Sequence, residues 1–177
     1  MIAKTIFWGS LAALAWTHAG YPAAAAVGAR LRPRPVRKGA GQPTVSVIVA
    51  AWDEEDVIGR RLENLLALDY PADRVEIVVA SDASSDRTDE IVEGVAGRES
   101  RVRLLRCPRG GKVAAQNLAV RGTTGEVIAF SDANATWAAP ALRKLVRNFA
   151  DPEVAYVMGQ LRLDSAGGTN REGAYWR

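Results

Sequence analysis

The chain has 177 residues, 48% hydrophobic and 24% charged, which suits one folded domain with a buried core and excludes disorder along its whole length. Its 23 basic and 20 acidic residues give a formal charge of +3, but Lys4, Arg30, Arg32, Arg34, Arg37 and Lys38 precede every Asp and Glu; the basic excess is one short run rather than a domain face, so nucleic acid is not an expected partner. A single cysteine (Cys107) and a single histidine (His18) exclude a disulfide framework, a Cys-rich zinc site and His-dependent nucleophilic triads, leaving carboxylates, Lys, Arg, amides, backbone N–H groups or a hard cation to carry any chemistry.

From Thr5 to Ala29 no residue carries a formal charge, a run of 25 residues where about 20 in a helix cross the hydrocarbon core. Residues 1–29 are therefore expected to form one transmembrane helix, with Phe7, Trp8 and Tyr21 near the interfaces and His18 a passive or packed residue. The Arg and Lys run from Arg30 to Lys38 against Lys4 and the amino terminus predicts a single-pass anchor in the cell membrane with the rest of the chain in the cytoplasm. A cleaved signal peptide, with Ala23 to Ala26 as its small residues, and an Ala-rich soluble helix are the competing readings. Residues 30–43, with Pro33, Pro35, Gly39, Gly41 and Pro43, read as an extended linker whose cations can meet anionic headgroups.

Thr44 to Ala51 is a short β-branched run bounded by Pro43 and acidic residues, the pattern of a buried parallel strand. Asp53 to Asp56 are expected in the first turn of a helix that carries Ile58, Leu62, Leu65 and Leu66 and ends at Tyr70-Pro71. The alternation then repeats: strand Val75 to Ala80, helix Asp86 to Val95, strand Val102 to Leu105, helix Lys112 to Val120, strand Val127 to Phe130. Pro140 opens a helix carrying Leu142, Leu145, Val146 and Phe149, and a last strand is expected near Val154 to Met158. This predicts an α/β fold with a mainly parallel, Rossmann-like sheet over residues 44–177.

Ligands of open α/β sheets bind beyond the carboxyl ends of the strands. Three polar clusters fall at such ends: Trp52-Asp53-Glu54-Glu55, Ser81-Asp82-Ala83-Ser84-Ser85-Asp86 and Ser131-Asp132-Ala133-Asn134. Asp132 and Asn134, with a small residue between them, let one tight turn aim two oxygens at Mg²⁺ or Mn²⁺, which needs diphosphate oxygens to complete its shell. The competing readings are that Asp132 caps the turn and Asn134 takes a left-handed conformation, that Asp82 is an Asx-turn residue, and that Trp52 is core rather than a stacking surface for a base. Ser84, Ser85 and Asp86 are capping material. Gly110-Gly111-Lys112 opens a helix, so amides, dipole and ammonium can face phosphate. It is not a P-loop, because Arg106 stands where the first Gly belongs and Val113 follows the Lys; no Gly-x-Gly-x-x-Gly occurs either.

In order, Val45 to Glu55, Leu65 to Pro71, Glu76 to Thr88, Gly110-Gly-Lys112 with Asn117, and Phe130-Ser-Asp-Ala-Asn134 resemble family 2 glycosyltransferases of the GT-A fold over most of residues 44–177. Tyr21-Pro22 before the basic run also resembles the anchor of membrane-bound members. The resemblance implies inverting transfer from a nucleotide-diphosphate sugar to an acceptor hydroxyl, with Ala51, Trp52, Glu54, Asp82, Lys112 and Asp132 as donor-binding residues. It also implies a divalent metal on Asp132 and Asn134, where the family's second Asp is replaced by a neutral, weaker ligand. The family's catalytic base lies in a later acidic motif that Asp151, Glu153 and Asp164 do not match, so the base is expected beyond Arg177 and the chain is expected to be the donor-binding half of a longer enzyme. A non-catalytic, membrane-tethered nucleotide-binding or scaffolding domain is the alternative.

Overall fold

The computed structural model describes residues 1–160, and the chain divides into two units, residues 1–36 and the remainder from Arg37. Asp164, one of the three downstream acids named above, lies outside the described residues.

The first unit is helical: α1 (Ile2–Ala15), a π-helical segment (Trp16–Gly20) and α2 (Tyr21–Leu31) follow one another directly. Pro22 sits at the start of α2; proline lacks the N–H for an i−4 bond and its ring crowds that carbonyl, and a locally wider turn relieves both. The single span expected over residues 1–29 is thereby subdivided, and among the described residues no helix is long and apolar enough to cross a membrane. No side chain of either helix or of the π segment is buried within the unit.

The second unit holds a parallel sheet of β1 (Val45–Ala51), β2 (Val75–Asp82), β3 (Val102–Cys107) and β4 (Val127–Asp132) in the order β3-β2-β1-β4. Its helices are α3 (Ile58–Leu66), α4 (Thr88–Ala96), α5 (Lys112–Arg121) and α6 (Ala141–Val146). Period-two alternation sorts the strands into two cores. Val45, Val47, Val49, Ile77 and Val79 meet Ile58, Leu62 and Leu65 of α3, Val92 of α4, and Leu142 and Val146 of α6. Ile48, Val78 and Ala80 meet Ala115 and Ala119 of α5. The strand order grows outward from β1 through β2 to β3 and then reverses to β4 on the other side, so the crevice rule puts a ligand beyond the carboxyl ends of β1 and β4.

Two expectations change. Asp53 to Asp56 do not form a first helical turn: Asp53 has φ 52°, Val57 precedes the helix, and α3 begins at Ile58. A left-handed residue cannot continue an α-helix, and the acidic loop instead bonds reciprocally with the loop before α4. The amides of Glu54 and Glu55 donate to Thr88 Oγ1 (2.8 Å) and Asp86 Oδ2 (3.0 Å), while the Ser85 and Arg87 amides donate to Asp53 Oδ1 (2.7 Å) and Glu55 Oε2 (3.0 Å). Second, residues 154–158 form no strand; Tyr156 and Met158 are exposed, and β4 pairs with β1 alone among the described residues. Local apolar pattern makes a strand only where a neighbour takes its hydrogen bonds. Residues 37–43, at the end of the basic linker, form no helix or strand and are tied down, with the Arg37 amide donating to Asp151 Oδ2 (3.0 Å) and the Gly39 amide to the Arg147 carbonyl (3.0 Å). Arg74 and Tyr70 donate to the carbonyls of Gln42 and Pro43, each at 2.7 Å.

Candidate functional site

The three polar strand ends open into one cleft of about 350 Å³, lined by Ala50, Ala51, Trp52, Glu54, Asp82, Arg109, Gly111, Lys112, Asp132, Ala133 and Asn134. Every residue singled out from the sequence for the donor or the metal is therefore on one wall or another. Parallel pairing causes this: Ala51 is in register with Ser81, and Ala50 with Asp132, so the three strands deliver their last residues to one edge.

Trp52 is half-exposed at the mouth rather than core, and the Arg109 guanidinium lies over its ring at 3.8 Å from the centroid. Arg109 had no distinguishing signal in the sequence, where it stands in the β3–α5 loop among other arginines. It also pairs with Asp82 at 3.2 Å.

Asp82 is buried, and it is not an Asx-turn residue. Its Oδ1 accepts from the Gly110 amide (2.7 Å) and its Oδ2 from the Gly111 amide (2.9 Å). Two of the amides expected to face phosphate are therefore already satisfied by a carboxylate, and what α5 leaves for an anion is its first turn and the Lys112 ammonium. Gly111 has φ +83°, a conformation that glycine takes without steric cost.

Lys112 Nζ donates to Asp132 Oδ1, and both side chains are exposed. Asp132 and Asn134 are both exposed at the cleft, with Ala133 buried between them. One carboxylate and one amide oxygen make a small donor set; it fits a Mg²⁺ or Mn²⁺ ion that takes its remaining ligands from water and substrate phosphate, as Mg²⁺ sites commonly do. Among the described residues no three His, Cys, Asp or Glu side chains cluster as a closed metal site.

Behind the Asp132 turn, α3 contributes Arg61, which no motif in the sequence marks out. Arg61 is buried; Nη2 donates to Ser131 Oγ at 2.6 Å and Nη1 donates to Asn64 Oδ1. Burial lowers its pKa to about 10, against an upward pull from the Asp132 charge, so it stays cationic near neutrality. The Cys107 thiol, at the end of β3, is pushed up by burial and by Asp82 and offers no reactive thiolate. Asp151 forms its bonds with Arg37, and Glu153 is exposed; neither lines the cleft.

Among known proteins, the chain is 35% identical over 165 residues to a beta-monoglucosyldiacylglycerol synthase of Trichormus variabilis, covering 91% of this chain and 35% of the relative. It is 36% identical over 132 residues to the probable glycosyltransferase YdaM of Bacillus subtilis, covering 72% of this chain and 31% of that one. A solved mannosyltransferase of Pyrobaculum calidifontis, in complex with GDP-Man and Mn²⁺, superposes with a TM-score of 0.67 at 35% identity, covering 80% of this chain and 44% of that one. The chain thus spans about a third of the length of these curated relatives. The family model described as glycosyl transferase family 2 matches residues 46–177, which takes in every strand of the sheet and every residue of the cleft, and the chain belongs to that family.

Proposed function

We propose that this chain is the donor-binding part of a glycosyltransferase that moves a sugar, with inversion, from a nucleotide-diphosphate sugar to an acceptor hydroxyl. The observation that carries the reading is the convergence of Trp52, Glu54, Asp82, Lys112, Asp132 and Asn134 on one cleft at the carboxyl edge of the sheet, in a chain of this family. The Pyrobaculum mannosyltransferase carries GDP-Man, and a Staphylococcus aureus TarS structure at TM-score 0.53 and 28% identity carries UDP-GlcNAc; both support a nucleotide sugar as the ligand.

In this reading Trp52 offers its exposed face to the base, and Glu54 and Asp82 border the nucleoside end of the cleft. Lys112 meets the diphosphate: its ammonium leaves Asp132 and stabilises the charge that builds on the leaving group. Asp132 and Asn134 would hold a divalent cation together with the diphosphate, and when bound that cation supplies Lewis-acid neutralisation of the same charge. The base that deprotonates the acceptor belongs to a part of the enzyme other than this cleft.

A membrane location belongs to the same proposal. Residues 5–29 are uncharged, the backbone is helical from Ile2 to Leu31 with αR angles at both junctions of the π segment, and Phe7, Trp8, Trp16 and Leu31 are all exposed. Together with the Arg30-to-Lys38 cations, this supports an anchor at the cell membrane with the catalytic unit on the cytoplasmic side.

Calorimetric titration of the chain with UDP and GDP, with and without Mn²⁺, tests the reading. Binding strengthened by Mn²⁺ is the expected result. Binding indifferent to Mn²⁺ would keep the nucleotide and remove the cation, whereas no binding by folded protein would favour the non-catalytic scaffolding alternative.

A further inference from the structure

Arg61 is a buried cation that no carboxylate touches among the described residues. It is 2% exposed and makes no ion pair among the described residues; its contacts are Ser131 Oγ, Asn64 Oδ1 and the Trp137 ring, 5.0 Å from the guanidinium, while its buried Nε has no acceptor. Desolvating a charge with only neutral partners is a costly arrangement. The flanking inward positions of α3 are Ile58, Leu62 and Leu65, and an apolar side chain at 61 would fill the same layer without that cost.

The partners indicate what the charge is for. Ser131 and Trp137 bracket loop 132–136, which starts with the last residue of β4, forms the first part of the connection to α6 and carries Asp132 and Asn134. Arg61 holds the first end through Ser131, whose hydroxyl in turn donates to the Asp132 carbonyl at 3.1 Å. Asn64, one turn along α3, holds the second: its Nδ2 donates to the Trp137 carbonyl and its Oδ1 accepts from the Trp137 amide, each at 2.9 Å. The two clamps are joined by the Arg61–Asn64 bond. Lys112 and Arg109, the cations that line the cleft, are half-exposed at a helix start and in a loop; Arg61, behind the cleft wall, is buried and held.

We propose that Arg61 is a positioning residue for the donor's diphosphate: with Asn64 it pins both ends of loop 132–136, and it keeps a fixed positive charge behind that loop. It acts through Ser131 and does not touch the ligand. The proposal rests on the nucleotide-sugar reading above, and its test separates the two.

The full chain and its Arg61→Met, Arg61→Lys and Ser131→Ala variants are compared by thermal melting, by amide hydrogen exchange without ligand, and by titration with UDP and GDP in Mn²⁺. Arg61→Met is expected to melt within a few degrees of the parent. Its exchange should rise about tenfold in residues 132–137 with β1 and β2 unchanged, and its nucleotide Kd should rise about tenfold, the scale of one charge-assisted bond. Arg61→Lys, which keeps the charge and one bond, should recover part of both. Unchanged loop protection and unchanged affinity in folded Arg61→Met overturn the proposal. So does a loss of protection spread evenly over the sheet, which marks a general brace. Should Arg61→Met fail to fold, Ser131→Ala decides: local loss of protection at 132–137 supports the clamp, and none overturns it. If the parent binds neither UDP nor GDP, the donor reading fails while the exchange result still judges the clamp.

Discussion

Asp82 commits both carboxylate oxygens to the Gly110 and Gly111 amides and also faces Arg109, so it shapes the turn from which Lys112 projects. Asp82→Ala leaves those amides without their acceptor and takes the carboxylate away from Arg109, whose guanidinium keeps only its bond to the main-chain carbonyl of residue 82. At about 1.5–3 kcal/mol for a bond to a charged group, the variant should lose about 2–4 kcal/mol of stability and weaken nucleotide binding by tenfold or more, measured by urea melts and calorimetry. Asp86 gives a pH prediction. Burial pushes its pKa up, but the hydroxyl and amide of Thr88 and the amide of Glu55 outweigh that and hold it below the ordinary 3.8. The folded state thus favours the ionised form, so this contribution is complete above the unfolded value and is lost as pH falls through the folded one. Acid titration of Asp86→Asn should show a flatter fall in stability below pH ~4 than the parent. The identities of Trp52, Asp82, Lys112 and Asp132 as cleft residues were legible because each follows an apolar run or opens a helix. Arg61 and Arg109 were not, since nothing in one arginine's neighbours in sequence says whether it is buried or stacked.

The element that most depends on one residue is the start of α5. Gly111 sits at φ +83° with open space where a Cβ would go, so a side chain there meets strain rather than collision. Gly111→Ala should therefore destabilise by about 1 kcal/mol or more through backbone conformation alone, visible as a lower melting midpoint and faster exchange in α5. β1 and β2 were readable because their β-branched runs are buried on both faces, while β4 shows its pattern through alternation, with Ile128 and Phe130 exposed; the observed ends of β2 and β4 extend the expected ones by two residues toward the cleft, through Ser81-Asp82 and Ser131-Asp132. The expected last strand at 154–158 failed for a reason that no window of sequence contains, namely whether the outer edge of β4 takes up its backbone groups.

For the whole molecule, the arm 37–43 joins the sheet unit through four anchoring bonds, from the Arg37 and Gly39 amides and to the Gln42 and Pro43 carbonyls. A chain beginning at Arg37 should melt like the intact sheet unit, whereas one beginning at Thr44 should melt about 5–10 °C lower, at about 0.5–1.5 kcal/mol per bond. Differential scanning calorimetry of the two compares them directly. The alternation of strand and helix, the parallel sheet and the edge on which the chemistry gathers could all be read from local pattern, because hydrophobic period and turn residues are local properties. The strand order β3-β2-β1-β4, the binding of Asp82 to the Gly110-Gly111 turn, the docking of residues 37–43 and the burial of Arg61 behind Ser131 come from the folded arrangement alone. Each of these joins residues tens of positions apart, and such contacts are selected by how whole elements pack and satisfy one another's polar groups, not by the residues next to them in the chain.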